Sequence, residues 1–565
     1  REWGKRNMGN KKLSSLVLLS LSSALVLAAC GGEGSTADSS GSAGATDSDQ
    51  VLNLVESAEI PTMDSVQATD TVAFTALSNV NEGLYRQGLD GTVELGIAAE
   101  DPTVSEDGLV YTFTIRDEAN WSNGEPVTAE DFVYSWRKLV DPAEAASYSY
   151  MMAGVIANAT EIIDGAVAPE ELGVKAIDEK TLEITLTSPV PYFKDLLTLA
   201  MFFPQNQAFV EEQGDQYALS SDALLYNGPF VLANWDAASL SWTYEPNAEY
   251  WDKDAVKLQA INVEVIKETS TALNLYDTDA IDRMILTGEY VAQRTGDAEV
   301  HTMPTSSVFY LKFNQQREGT PLQNANIRKA LAMAFDKQAY ADVVLQNGSI
   351  PANGLVPEKL ALDPSTGEDY RKQNGDLLTY NAEEAKTYFE QGLAELGVES
   401  ITLELLSDDT ENAKRSSEFL QSQLQTNLPG LTVTLRNVPF KVRLEADTSG
   451  EYDIELAGWG ADYADPINFL ELFQTENGNN KSGYSNAEYD ALIDEARTNV
   501  TDLDARWASL LAAEKILMED AGIAPLYQRS YAVLQKPYVT DLGEHLVGAD
   551  YSYKWASNSG TQNVD

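Results

Sequence analysis

Asp462 and Asp465 have the strongest claim to chemistry in this chain. They lie three residues apart in Gly458-Trp459-Gly460-Ala461-Asp462-Tyr463-Ala464-Asp465-Pro466. Two such carboxylates can share the acid and base steps of a hydrolysis, as in a glycosidase, or they can hold a cation. Asp465, directly before Pro466, reads better as a helix cap, with Pro466 opening a helix over Ile467 to Phe473. That leaves Asp462 beside one large indole and two glycines, whose bare backbone lets another chain come close. Exposed main chain, an aromatic and a carboxylate suit an extended peptide. The amides pair, the ring covers a side chain, and the carboxylate takes the ammonium end. The same residues also spell an ordinary strand–turn–helix with a core tryptophan.

Other chemistries find little support. The chain has two histidines, His301 and His545, and neither stands near a Gly-x-Ser-x-Gly turn. Its one cysteine, Cys30, cannot form an intrachain disulfide. Two distant histidines and no thiol cluster argue against zinc, nickel or haem, so no metal or cofactor is expected. No Gly-x-x-x-x-Gly-Lys-Ser/Thr loop is present to cradle a nucleotide. The formal charge of −50, from 38 basic and 88 acidic side chains, excludes a nucleic-acid binder. It fits solubility and self-repulsion outside the cell, or an acidic cavity that favours cations. The 26 tyrosines and 9 tryptophans can supply core and cavity walls alike.

The elements that must hold Asp462 follow from periodicity. Tyr452, Ile454 and Leu456 alternate with Asp453 and Glu455, which predicts a strand leading into Gly458. Further strands are predicted over Val51–Val55, Tyr111–Ile115, Leu182–Leu186, Val308–Phe313, Ile401–Leu406 and Leu431–Leu435. Helices are predicted from Thr128, with Asp131 completing a capping box ahead of Phe132, Trp136 and Leu139. Others carry Ile327 and Leu331, span Phe419–Leu428, and start at Asp504. Aromatic strands dominate from Asn227 to about Met303, and strand and helix alternate from Ser306, so the class is α/β. No internal repeat is found.

The N-terminus reads as an export signal. Lys11-Lys12 precedes an uncharged Leu- and Ser-rich run that ends Leu27-Ala28-Ala29-Cys30, a pattern that resembles the bacterial lipobox. Cys30 would carry the lipid and residues 1–29 would be removed, with Met8 the true start. Gly31 to Gln50 holds no large apolar residue and reads as a flexible tether.

Several stretches together resemble the extracellular oligopeptide-binding proteins of ABC importers (solute-binding family 5, OppA-type), in their Gram-positive lipoprotein branch. They are Trp121–Arg137, Leu172–Asp178, Ser188–Phe193, Tyr226–Phe230 and Gly458–Pro466, and the order holds from Val51 onward. The resemblance implies a periplasmic-binding-protein-like type II fold (cluster C), a two-lobed clamshell with an extra inserted domain. Domain I would be residues 51–81, 205–304 and 528–565, domain II 82–204, and domain III 305–527, following the tether 30–50. It further implies Asp462 as the ammonium receptor and Gly458, Trp459 and Gly460 as the backbone-pairing segment, faced by Thr69 and Thr71. Tyr148 would touch the ligand's N-terminal part, and Phe440 and Leu444 would wall a pocket. Asp447 and Leu456 stand where enteric relatives place basic residues, which favours longer peptides with a free C-terminus. The implied partners are oligopeptides, permease subunits and, through Cys30, the membrane, for a monomer on the outer face. A narrow-specificity pheromone receptor on the same fold and an extracellular carboxylate hydrolase are the alternatives.

Overall fold

The computed structural model describes residues 50–190, 192–499 and 501–560. The export signal, Cys30 and nearly all of the tether lie outside the described residues. At the start of the body, Val51–Glu56 buries Leu52 and Leu54 on one face. It pairs in parallel with Ala260–Val265 and, at Leu54, with Arg283–Leu286. Ser241–Pro246 and Phe230–Ala233 continue the sheet antiparallel, with Trp242, Tyr244 and Phe230 turned into the core.

Two long strands carry this sheet across the molecule. Val300–Phe313 and Ile523–Gln535 pair antiparallel in two stretches, Val300–Pro304 against Ser530–Leu534 and Val308–Lys312 against Ile523–Gln528, with a register shift between them. Beyond the shift, Ile454–Gly460 joins Val300–Phe313 antiparallel, then Ile401–Asp408 and Leu431–Val438 follow in parallel. The result is one eleven-stranded mixed sheet. Its two halves are reached through the same two crossing strands.

A second, four-stranded sheet is built from Thr103–Val104, Val110–Thr114, Thr181–Thr185 and Val174–Asp178. Helix Ala129–Val140 packs beside it, burying Phe132, Trp136 and Leu139. Thr128 and Asp131 form the expected capping box, and the Trp121 indole N–H donates to Asp131 Oδ2 at 3.0 Å.

Several boundaries move. The strand expected from Tyr452 begins at Ile454 and runs through Gly460. Tyr452 is instead buried, its hydroxyl donating to the Lys481 carbonyl at 3.1 Å. The helix expected from Phe419 starts at Glu411, because Thr410 caps it by accepting from the Ala413 N–H. The helix expected over Ile467–Phe473 is Ile467–Leu470 followed by a 3₁₀ turn, Glu471–Phe473. Among the aromatic strands expected before Met303 lie two helices, Thr269–Asp277 and Glu289–Gln293.

Candidate functional site

The strand Ile454–Gly460 is unevenly covered. Along one edge it pairs with Ser307–Phe313 over its whole length, so Gly458, Trp459 and Gly460 stay inside the ladder instead of breaking out of it. On the other edge only Ile454 and Glu455 find partners, Leu405 and Leu406, because Ile401–Asp408 parts from it there and runs on to Asp408 paired with Leu431–Val438 alone. Leu456–Gly460 therefore present an unpaired edge among the described residues. Such an edge is a template for one more strand.

Glycine is required at Gly458. A Cβ there would stand 2.8 Å from the Phe309 ring, which occupies that space. At Gly460 a Cβ would stand 3.5 Å from Thr71 Cγ2, so the segment Thr69–Thr71 closes over the strand from the opposite side. Asp70 between the two threonines caps helix Thr71–Val80 by accepting from the Ala73 N–H at 2.9 Å.

The two segments bound a chamber of about 250 Å³. Thr69, Thr71, Tyr148, Phe440, Leu444, Gly458, Trp459, Gly460 and Asp462 all line it, so all nine ligand-site residues expected from the sequence meet at one place. A second chamber of about 250 Å³ shares Glu56, Phe309, Asp408, Arg529, Tyr531 and Asp550 with the first. Leu456 lines the second chamber.

Asp462 is 6% exposed. Its Oδ2 accepts from the Tyr148 hydroxyl at 3.3 Å and from Asn468 Nδ2 at 3.2 Å. Asn468 Oδ1 accepts from the Asp462 N–H at 2.9 Å and from the Trp459 indole at 3.1 Å, which locks ring and carboxylate together. Tyr148 in turn stacks on Trp459, with ring centres 5.8 Å apart, and meets Phe74 edge-on. Among the described residues no Lys or Arg pairs with Asp462. Burial pushes its carboxyl up to about 7, against the lowering effect of Asn468 and Tyr148. Once ionised, an uncompensated carboxylate in that setting is poised for a cation.

Asp465 differs. Arg506 holds it with two hydrogen bonds of 2.9 Å, and its Oδ1 accepts from the Ile467 N–H at 2.9 Å. It serves as cap and ion pair, so the two aspartates are not a free carboxylate couple.

Cations absent at Asp447 and Leu456 arrive from strand Val300–Phe313 and helix Phe440–Ser449. Lys312 sits 2.5 Å from Asp447 and 2.8 Å from Glu455, and Arg443 binds Asp408 at 2.7 Å and also Glu455. Burial pulls the Lys312 ammonium down, but Asp447 and Glu455 outweigh it and hold its pKa well above the usual value. Arg529, Tyr531, Glu56, Asp550 and Phe309 are cleft residues that the sequence reading missed. The one local signal was a cation inside the aromatic run Tyr527-Gln-Arg-Ser-Tyr531. Among the described residues no group of three or more His, Cys, Asp or Glu is placed to hold a metal ion, and no helix is long and apolar enough to cross a membrane.

Two halves of a sheet joined by a strand pair, with a polar-ended cleft between them, define a clamshell ligand-binding protein of the periplasmic type II class. The chain belongs to the bacterial extracellular solute-binding proteins, family 5, whose middle region it matches over residues 92–481. It is 35% identical over 530 residues to the oligopeptide-binding protein OppA of Bacillus subtilis, covering 92% of this chain and 94% of that one. Its structure is similar to Listeria monocytogenes OppA bound to peptide, with a TM-score of 0.88 and 50% identity, covering 90% of this chain and 99% of the other. The pheromone receptor PrgZ gives a TM-score of 0.86 and 39% identity, with the same coverage.

Proposed function

We propose that this chain captures extracellular oligopeptides and delivers them to the permease of an ABC importer, acting by binding and not by catalysis. The observation that carries this is Asp462, a buried carboxylate without a basic partner at the end of an unpaired strand edge. An extended peptide satisfies both features together, since its amides pair with Leu456–Gly460 while its ammonium meets Asp462. The peptide named in the Listeria structure supports the same reading.

In this account domain I comprises 51–81, 205–304 and 528–565, domain II 82–204 and domain III 305–527, with the jaws turning about the register shift after Pro304. Thr69, Thr71, Tyr148, Phe440, Leu444 and the Gly458–Gly460 segment form the ligand's walls. A lipid on Cys30 holds the monomer on the outer face of the cell membrane. Acyl chains contribute about 0.8 kcal/mol per buried CH₂, and more than one chain makes the anchor stable.

Calorimetry tests the role of Asp462. Asp462→Ala is expected to weaken free-amine peptides by about 3–5 kcal/mol, the effect of leaving a buried charge unpaired. N-acetylated peptides should lose far less, and equal losses for both would rule out the ammonium role. The likeness to PrgZ supports a second reading, a pheromone receptor with narrow specificity. Native mass spectrometry of ligand carried through purification separates the two: a mixed ladder of peptides means nutrition, and a single species means signalling.

A further inference from the structure

We infer that Arg529 selects ligands by receiving a carboxylate from the first three residues of the bound peptide, either an acidic side chain or the terminus of a di- or tripeptide. This rests on the peptide-binding reading proposed above. Five cations line the two chambers, and four are already neutralised. Lys267 pairs with Glu59 and Asp409, Arg283 with Glu544, Lys312 with Asp447 and Glu455, and Arg443 with Asp408 and Glu455. Arg529 has no ion-pair partner among the described residues. Its Nη2 donates to Ser307 Oγ at 3.3 Å, and its Nε is buried with no acceptor. The guanidinium lies 4.4 Å from the centre of the Tyr531 ring and 5.2 Å from that of Phe309. A guanidinium keeps its charge at any accessible pH and is built to bind carboxylates through two donors at once.

Sheet register sets which part of a ligand it meets. Ser307 pairs with Gly460 and Phe309 with Gly458. A guanidinium bonded to the first and packed on the second stands level with Gly458–Gly460. Strands lie ~4.8 Å apart and an extended residue advances ~3.3 Å. A peptide whose ammonium is at Asp462 therefore passes this level within its first three residues, and later residues run on past Ala457 and Leu456. Glu56 and Asp550 line the same chambers without pairing with Arg529. Burial raises both carboxyls, that of Glu56 to about 7, while Arg529 and Arg283 draw Asp550 back down. A purely structural role for Arg529, as distant counter-charge to Asp550, is thus the competing account.

Calorimetry of the purified protein decides between them. The probes are pentaalanine, its variants with Glu or Gln at position two or three, and trialanine with a free or amidated C-terminus. Wild type should bind the Glu peptides, or the free-acid trialanine, about ten- to hundredfold more tightly than their neutral counterparts, the usual range for a charged hydrogen-bonded pair. Arg529→Gln should abolish that preference and leave pentaalanine within about threefold, and Arg529→Lys should keep part of it. Whichever arm shows the preference names the source of the carboxylate. No preference in wild type, or equal weakening of every peptide by Arg529→Gln, overturns the inference while leaving peptide binding intact. Failure of pentaalanine and all its variants to bind wild type would overturn the peptide-binding reading and this inference together.

Discussion

Asp462 draws its character from what surrounds it. An aspartate in water has a pKa of about 3.9, and this one is pushed up to about 7, by burial first and by the charge of Glu471 last. The sign of the stability effect follows. Below about pH 4 the carboxyl is protonated folded and unfolded alike. Between about 4 and 7 the unfolded chain gives up its proton while the folded one keeps it, so stability falls as pH rises, and above 7 the deficit is constant. Opening of the cleft, which rehydrates the group, limits the deficit to less than the roughly 4 kcal/mol that a shift of this size implies. Asp462→Asn should therefore raise the melting temperature of the empty protein at pH 8 and leave it nearly unchanged at pH 4. Thermal unfolding by circular dichroism measures this, and an equal rise at both values would remove burial of charge as the cause. Asp462 could be picked out from the chain alone because its chemistry is local: a carboxylate, an indole and two glycines within five residues. Arg529 could not, because what distinguishes it is the absence of a partner, a fact about residues hundreds of positions away.

At the level of elements, the site is an incomplete sheet. The parallel strand Ile401–Asp408 parts from Ile454–Gly460 beside Glu455, and the glycine at 460 keeps the remaining edge open to Thr69–Thr71. A side chain at Gly460 would grow into the gap between the two walls, where a Cβ already stands 3.0 Å from Ser307 Oγ. The serine hydroxyl can turn away, so the fold should survive. Gly460→Val is expected to weaken peptide binding by at least about tenfold, with a melting temperature only a few degrees lower, because an extended residue accepts a side chain with little backbone strain. Titration calorimetry beside thermal melts checks the pair of outcomes, and unimpaired binding would mean that ligand does not run along this edge. Most strands and helices were legible because their periodicity is local: Val51–Glu56, Val110–Thr114 and the capping box at Thr128 all form close to where the pattern placed them. The first turns of helix Glu411–Asn427 were missed because they are polar, with only Thr410 to announce them. Strand pairing was not legible at all, since which edge of Ile454–Gly460 stays free depends on where a strand earlier in the chain turns away from it.

For the whole molecule, the question is what keeps the jaws shut. Lys267 lies 2.6 Å from Asp409 across the mouth of the cleft, the Thr269 N–H donates to Glu411 Oε2 at 2.9 Å, and the Glu411 N–H donates to the Lys267 carbonyl at 3.0 Å. Tyr148 and Trp459 stack between the regions assigned to domains II and III. Against these contacts stand carboxyls that closure buries: Asp462 and Glu56, each raised to about 7, and Asp70, raised to about 6, with burial the largest cause for all three. In an open, hydrated cleft these groups return toward ordinary carboxylate values. Closing the empty protein between about pH 4 and 7 then takes up protons, so its closed population grows as pH falls through that window. In the proposed peptide complex the ligand's ammonium would replace the proton on Asp462 at neutral pH, which would tie closure to the presence of a free amine and make the charge a matter of coupling more than of raw affinity. Small-angle scattering of the ligand-free protein should give a smaller radius of gyration at pH 5 than at pH 8. Saturating peptide should hold the small value at both, and Asp462→Asn should shrink the difference. An empty protein that is more open at pH 5 would mean that the cross-cleft contacts, and not the buried carboxyls, govern closure.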